Sequence, residues 1–160
     1  MTKLTGALLC LAAALLFLAA APAQKPAELV AGVLNDWHRA AAAADEPRYF
    51  GHFAGNGVFL GTDATERWTV KEFREWARPH FSAKKAWNFR PRDRHIEVSG
   101  DGRTAWFDEM LDTGTLGVCR GSGVLVLEGG NWKIAQYNLS IPIPNALADA
   151  IVKEIAGKGK

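Results

Sequence analysis

The hydrophobic pattern of this chain changes period near its middle, from the spacing of helices to that of strands. Residues 26 to 44 carry Leu29, Val30, Val33, Leu34, Trp37 and Ala41 on one helical stripe. Asp45 and Pro47 read as the cap and first-turn proline of a second, short helix bearing Tyr49, Phe50 and Phe53. Gly55 to Gly57 break it, and "GVFLG" reads as a brief strand. In "TVKE", Thr69 caps a helix and Glu72 reaches back to it. The helix that follows aligns Val70, Phe73, Trp76, Ala77 and Phe81. From residue 86 the pattern is extended. Residues 86–98 (with Pro91 marking an edge or a bulge), 103–111, 117–128 and 131–141 read as strands. The turns "SGDG", "DTGT" and "GGN" join them. Asn145 caps a last helix with Leu147, Ile151 and Ile155 on one face, and Gly157 ends it.

Helices followed by an antiparallel meander predict an α+β fold. The strands are long, and Gly117, Gly121 and Gly123 permit strong bending. A curved sheet wrapped around the N-terminal helices would form a cone with a mouth.

One strand, "AWFDEML", places a carboxylate on an apolar face: Glu109 alternates with Ala105, Phe107 and Leu111. A buried carboxylate is costly without partners. The simplest register turns Arg120, Ser122, Val124 and Val126 of the next strand inward, and Trp132, Ile134, Gln136, Asn138 and Ser140 of the last. Glu109 is then expected to pair with Arg120, with Ser122, Gln136 and Asn138 supplying hydrogen bonds. The competing register turns Trp106, Asp108 and Met110 inward, and a bulge could switch the phase midway.

Composition narrows the context. The 160 residues fit one domain, and a formal net charge of +2 is too small to argue for nucleic acid. Lys3, the apolar run after it and Ala-Pro-Ala read as an export signal over residues 1–23, leaving a single domain over 24–160. The alternative is an uncleaved membrane anchor; after cleavage no membrane association is expected, and the product would be periplasmic or secreted. Cys119 would be the sole remaining cysteine, so the domain must fold on its core without a disulfide, which about 135 residues allow.

The segments "FLGTDATERW", "RDRHIEV", "AWFDE", "CRGSGVLV" and "NWKIAQYNLSIPIPN" together resemble the SnoaL-like branch of the nuclear transport factor 2-like (ketosteroid isomerase-like) superfamily, over roughly residues 27–145. The resemblance implies an α+β cone in which a curved antiparallel sheet surrounds a pocket. It leaves the chemistry open, because relatives include isomerases, cyclases, dehydratases, an epoxide hydrolase, and proteins that only bind ligands or assemble. The isomerase pair of a base Asp and an oxyanion-holding Tyr has no counterpart here, since Tyr137 faces outward in the register above.

Within such a pocket the acid/base candidates are Glu109 and His95, with Asp63 and Glu66 near the mouth. Asp63 and Glu66 could equally cap a turn. Trp68, Trp87 and Phe107 suit a ring-containing ligand, or simply fill the core. The histidines lack metal-ligand spacing, and neither a nucleophile elbow nor a cofactor fingerprint is present, so no metal or cofactor is expected. Three readings follow: a pocket for a small, largely apolar molecule; a proton-transfer enzyme (isomerase, lyase or epoxide hydrolase type) using Glu109 or His95; or a non-catalytic module. In the last, the outer sheet face, with Trp106, Met110, Leu125, Leu127, Tyr137 and Leu139, would make a homodimer.

Overall fold

The computed structural model describes residues 24–158. The segment read as an export signal lies outside the described residues. Helix α1 (Pro26–Ala42) starts at Lys25 with a proline in its first turn and buries Val30, Leu34, Trp37, His38, Ala40 and Ala41. Leu29, expected on that stripe, is exposed. Helix α2 (Glu46–Gly51) is capped by the Asp45 side chain, which accepts from the Arg48 N–H. Strand β1 (Phe53–Leu60) leads through a turn to β2 (Arg67–Thr69), a short strand the hydrophobic pattern does not announce. Helix α3 (Val70–Ser82) begins with the capping box read from the sequence: Thr69 accepts from the Glu72 N–H, and Glu72 accepts from the Thr69 N–H at 2.8 Å. It buries Phe73, Ala77 and Phe81.

Strands β3 (Arg90–Val98), β4 (Thr104–Asp112), β5 (Val118–Glu128) and β6 (Asn131–Ser140) form the expected meander. The full sheet has six strands in the order β2-β1-β6-β5-β4-β3, curved and unclosed. One join runs against the meander: β1 lies parallel to β6. The helices pack on the inner face, so the architecture is the α+β cone. Helix α4 (Asn145–Lys158) follows β6 and buries no residue.

The inner face differs from the simplest register in β5 and in half of β6. In β5 the buried positions are Cys119, Gly121, Gly123 and Leu125. Arg120, Ser122, Val124 and Val126 are therefore on the outer face, and Arg120 is exposed opposite Met110. The expected Glu109–Arg120 pair does not form. The physical reason is the two glycines. A Cβ at Gly121 would sit 2.3 Å from the Tyr137 hydroxyl and 3.2 Å from Glu109, and one at Gly123 would sit 2.2 Å from the Gln136 carbonyl. These positions face inward because they have no side chain, which an apolar-residue count cannot register.

In β6, Trp132 and Ile134 face inward as expected. Leu125 then pairs with Ile134 but Val124 with Gln136, so Ala135 is an extra residue, a bulge that switches the phase. Beyond it Tyr137 and Leu139 are buried, while Gln136, Asn138 and Ser140 turn outward. Tyr137, Leu139 and Leu125 thus belong to the core and not to the outer patch expected of a dimer.

The core is mainly aromatic. Trp37 stacks on Tyr49 at 5.0 Å and meets Tyr137 edge-on at 4.5 Å, while Phe59 stacks on Phe73 at 4.0 Å. These rings occupy the middle of the cone.

Candidate functional site

Two features remain once the core is accounted for: a buried polar network around Glu109 and an aromatic slot at the mouth.

Glu109 is fully buried and faces inward, as its alternation with Ala105 and Phe107 requires. Its partners come from β3 and α1. Arg94 Nε donates to Oε2 at 2.6 Å, and His38 Nε2 lies 2.7 Å from Oε1. Arg94 also donates from Nη1 to Asn35 Oδ1 at 2.7 Å and to the Ala31 carbonyl at 3.3 Å. The network therefore fastens α1 to the two strands beneath it. Arg94 reaches inward through a second bulge. Arg92 pairs with Met110 and His95 with Asp108, so Asp93 and Arg94 together oppose Glu109, with Asp93 at a φ of 49°. Sequence reasoning missed both partners. Signals for them were present: Pro91 marks irregularity in β3, and His38 continues the Val30–Leu34 spacing of α1 by one more turn.

The Tyr137 hydroxyl is buried beside this network, and among the described residues it has no hydrogen-bond partner. Burial holds the phenol well above its usual range, and the Glu109 charge adds to that. Burial acts likewise on Tyr49. Both rings are neutral at physiological pH.

The slot lies on the other side of the core, where α3, the β1–β2 turn and the β4–β5 turn meet. It is a cavity of about 230 Å³ lined by Phe59, Trp68, Phe73, Trp76, Trp87 and Leu139, among others, with Glu66 at its rim. Its rings are nearly parallel: Trp68 and Phe73 differ by 3° at 5.6 Å, Trp68 and Trp76 by 25° at 5.0 Å, and Phe73 and Trp87 by 21° at 5.8 Å. Trp76 is 47% exposed, an unusual position for so large an apolar ring. The capping box fixes the start of α3 and with it the rise of Phe73 and Trp76 into the slot.

The remaining sequence-derived candidates fall elsewhere. Glu66, Trp68 and Trp87 line the slot, whereas Phe107 is a core ring near Tyr137. Asp63 is exposed and accepts from the Thr65 N–H at 2.8 Å and its hydroxyl at 2.6 Å, which lowers its carboxyl below the usual value. His95 is exposed on the outer face opposite Asp108, on the other side of the sheet from Glu109. Arg120, Ser122, Gln136 and Asn138 share that outer face. Among the described residues no group of three or more His, Cys, Asp or Glu side chains is placed to hold a metal ion.

This geometry agrees with what comparison finds. The cone and its helix order are the fold shared with solved nuclear transport factor 2-like structures. The sequence model of the SnoaL-like domain matches residues 30–144, and the chain belongs to that family. No curated protein matches it. Among solved structures it is similar to a candidate dehydratase of the nuclear transport factor 2-like family from Streptomyces avermitilis, at 15% identity and a TM-score of 0.63, covering 74% of this chain and 96% of that one. A nuclear transport factor 2-like protein of unknown function from Pseudomonas putida aligns at 13% identity and a TM-score of 0.61, over 74% and 88% of the two chains. A candidate calcium/calmodulin dependent protein kinase II association domain from Xanthomonas campestris aligns at 21% identity and a TM-score of 0.57, over 79% and 94%.

Proposed function

We propose that this chain is an exported small-molecule-binding domain whose ligand is a flat, largely apolar ring compound held in the aromatic slot. The observation that carries the reading is the cluster of Trp68, Phe73, Trp76 and Trp87 around an open cavity, most of its pairs stacked and Trp76 tilted by 35° from Trp87. Rings so arranged present π faces and edges to a planar guest, and exposing Trp76 to water is unfavourable without one. The cavity of about 230 Å³ is smaller than the range of roughly 300–1,000 Å³ usual for drug-sized ligands, so the guest has one or two rings rather than four. Export rests on the N-terminal sequence alone. Titrating one- and two-ring aromatics while following tryptophan fluorescence and the thermal midpoint tests the binding. Saturable binding that Trp76→Ala weakens supports it, whereas no response across the panel removes it.

A proton-transfer enzyme is the second reading. It is favoured by the 2.7 Å contact between His38 and Glu109, because a carboxylate-oriented imidazole is a general base in waiting. His38 also lines a surface cavity of about 270 Å³ with Asn35, Asn88 and Arg90. In this reading His38 takes the part expected of His95. Any turnover found for a bound ligand should then vanish in His38→Gln with binding unchanged. Pairing with a second copy through the outer face, where Trp106 is 49% exposed, is compatible with either reading. Light scattering at micromolar concentration checks it.

A further inference from the structure

The slot is lined by aromatic and aliphatic groups, by small polar ones, and by a single ionisable side chain, Glu66. Resting on the reading of the slot as the binding site, we infer that its ligand is a cation: a ring compound bearing an ammonium or other positively charged nitrogen, which Glu66 selects.

Glu66 stands in the turn between β1 and β2, and its position is built. The Gly61 N–H donates to its carbonyl at 2.8 Å, and the Asp63 N–H donates to its Oε2 at 3.2 Å. A Cβ at residue 61 would fall 2.1 Å from that same Oε2, so a glycine there is what lets the carboxylate fold back against the turn. The side chain is half-buried, and among the described residues no Lys, Arg or His forms an ion pair with it. This contrasts with Glu109, Asp36 and Asp112, each of which has a cationic partner. A half-buried carboxylate facing an apolar slot loses hydration when a guest enters, and only a guest that brings a positive charge or a donor replaces it.

The rings point the same way. Indole faces are the most favourable of the aromatic side chains toward a cation, and Trp68, Trp76 and Trp87 all line the slot. A carboxylate-bearing guest meets repulsion from Glu66 with no basic side chain in the lining to offset it, which excludes organic acids of the same shape.

Three probes of one shape test this: 2-naphthylmethylammonium, 2-naphthalenemethanol and 2-naphthoate. Each is titrated into the full chain at pH 7 in low salt, following tryptophan fluorescence. The ammonium is expected to bind about tenfold more tightly than the alcohol, with the acid weakest. In Glu66→Gln the ammonium should keep only the small advantage over the alcohol that the indole faces give, about twofold to threefold, while the alcohol stays within about twofold of its wild-type value. A matching thermal midpoint for the variant shows that the fold is intact. If alcohol and ammonium bind alike in the wild type, or if Glu66→Gln keeps the full wild-type cation preference, the inference is overturned while the slot stands as a binding site. If none of the three binds to wild type, the slot reading falls and the inference falls with it.

Discussion

Glu109 and Gly121 lie directly opposite each other on β4 and β5, and the missing side chain of one makes room beside the buried carboxylate of the other. The Tyr137 hydroxyl occupies the same space. Gly121→Ala should therefore lower the urea midpoint, because the new methyl meets an interior that cannot simply give way; overpacking of this kind costs about 1–3 kcal/mol. Tyr137→Phe removes an oxygen without a partner and should be close to neutral alone. Combined, the two changes should cost less than their sum, since the hydroxyl is the nearest atom to the added carbon. Strict additivity would show that the crowding lies elsewhere.

Removing the charge of the network should cost more than removing its neighbours. Glu109→Ala leaves Arg94 uncompensated in a mostly buried place and cuts the tie from α1 to β4. Breaking one partner of a buried pair typically costs about 3–5 kcal/mol, and chemical denaturation would measure it. Glu109→Gln keeps the shape and should lie between this variant and the wild type. A loss below 1 kcal/mol for the alanine variant would show that water reaches the site.

The capping box links stability to the slot. Thr69→Ala removes the side chain that accepts from the Glu72 N–H, at about 1 kcal/mol for a lost cap. Because α3 carries Phe73 and Trp76, the same variant should loosen binding of ring compounds in the fluorescence titration. Unchanged affinity would mean that the rest of α3 holds those rings by itself.

Acid should destabilise the fold in two stages. Burial pushes the His52 imidazole below 6.5 despite its contact with Asp36. The unfolded chain then binds that proton more readily, so stability falls as the pH drops below 6.5. The Arg48 guanidinium, aided by Arg39 and His52, holds the Asp36 carboxyl well below 3.8. That contribution is fully present above 3.8 and is lost as the pH falls toward the lower folded value. Urea midpoints from pH 7 to pH 3 should show both, and Asp36→Asn should flatten the lower stage. An identical acid slope in that variant would assign the effect to other carboxylates.

Cys119 is buried on the inner face of β5, and burial raises its thiol above the usual range. Alkylation should be slow in the native protein and rapid in urea. Reaction at equal rates would place the thiol at the surface.

The sequence carried local features well because local chemistry decides them. Thr69 and Glu72 are three residues apart, and their box forms wherever that turn of helix does. Glu109 announced its burial through strand alternation. Its partners were harder, since two bulges decide them. The bulge at Asp93 and Arg94 turns an arginine inward, and the one at Ala135 turns Tyr137 inward and Asn138 outward. Glycine hid the phase of β5, as Gly121 and Gly123 occupy core positions without adding hydrophobicity. Trp68 and Trp87 could be chosen as pocket residues by type alone. That Trp76 joins them, and that Glu66 is the slot's one charge, depends on how the β1–β2 turn folds against α3.

The parallel pairing of β1 with β6 has a consequence for how the molecule is made. Strand β1 finds its main neighbour only after β3, β4 and β5 have been synthesised, so the hydrogen-bonding edge it shares with β6 stays open until nearly the whole chain has left the ribosome. The early segment exposes Phe53, Phe59 and Phe73 during that interval, and closing so distant a contact is slow.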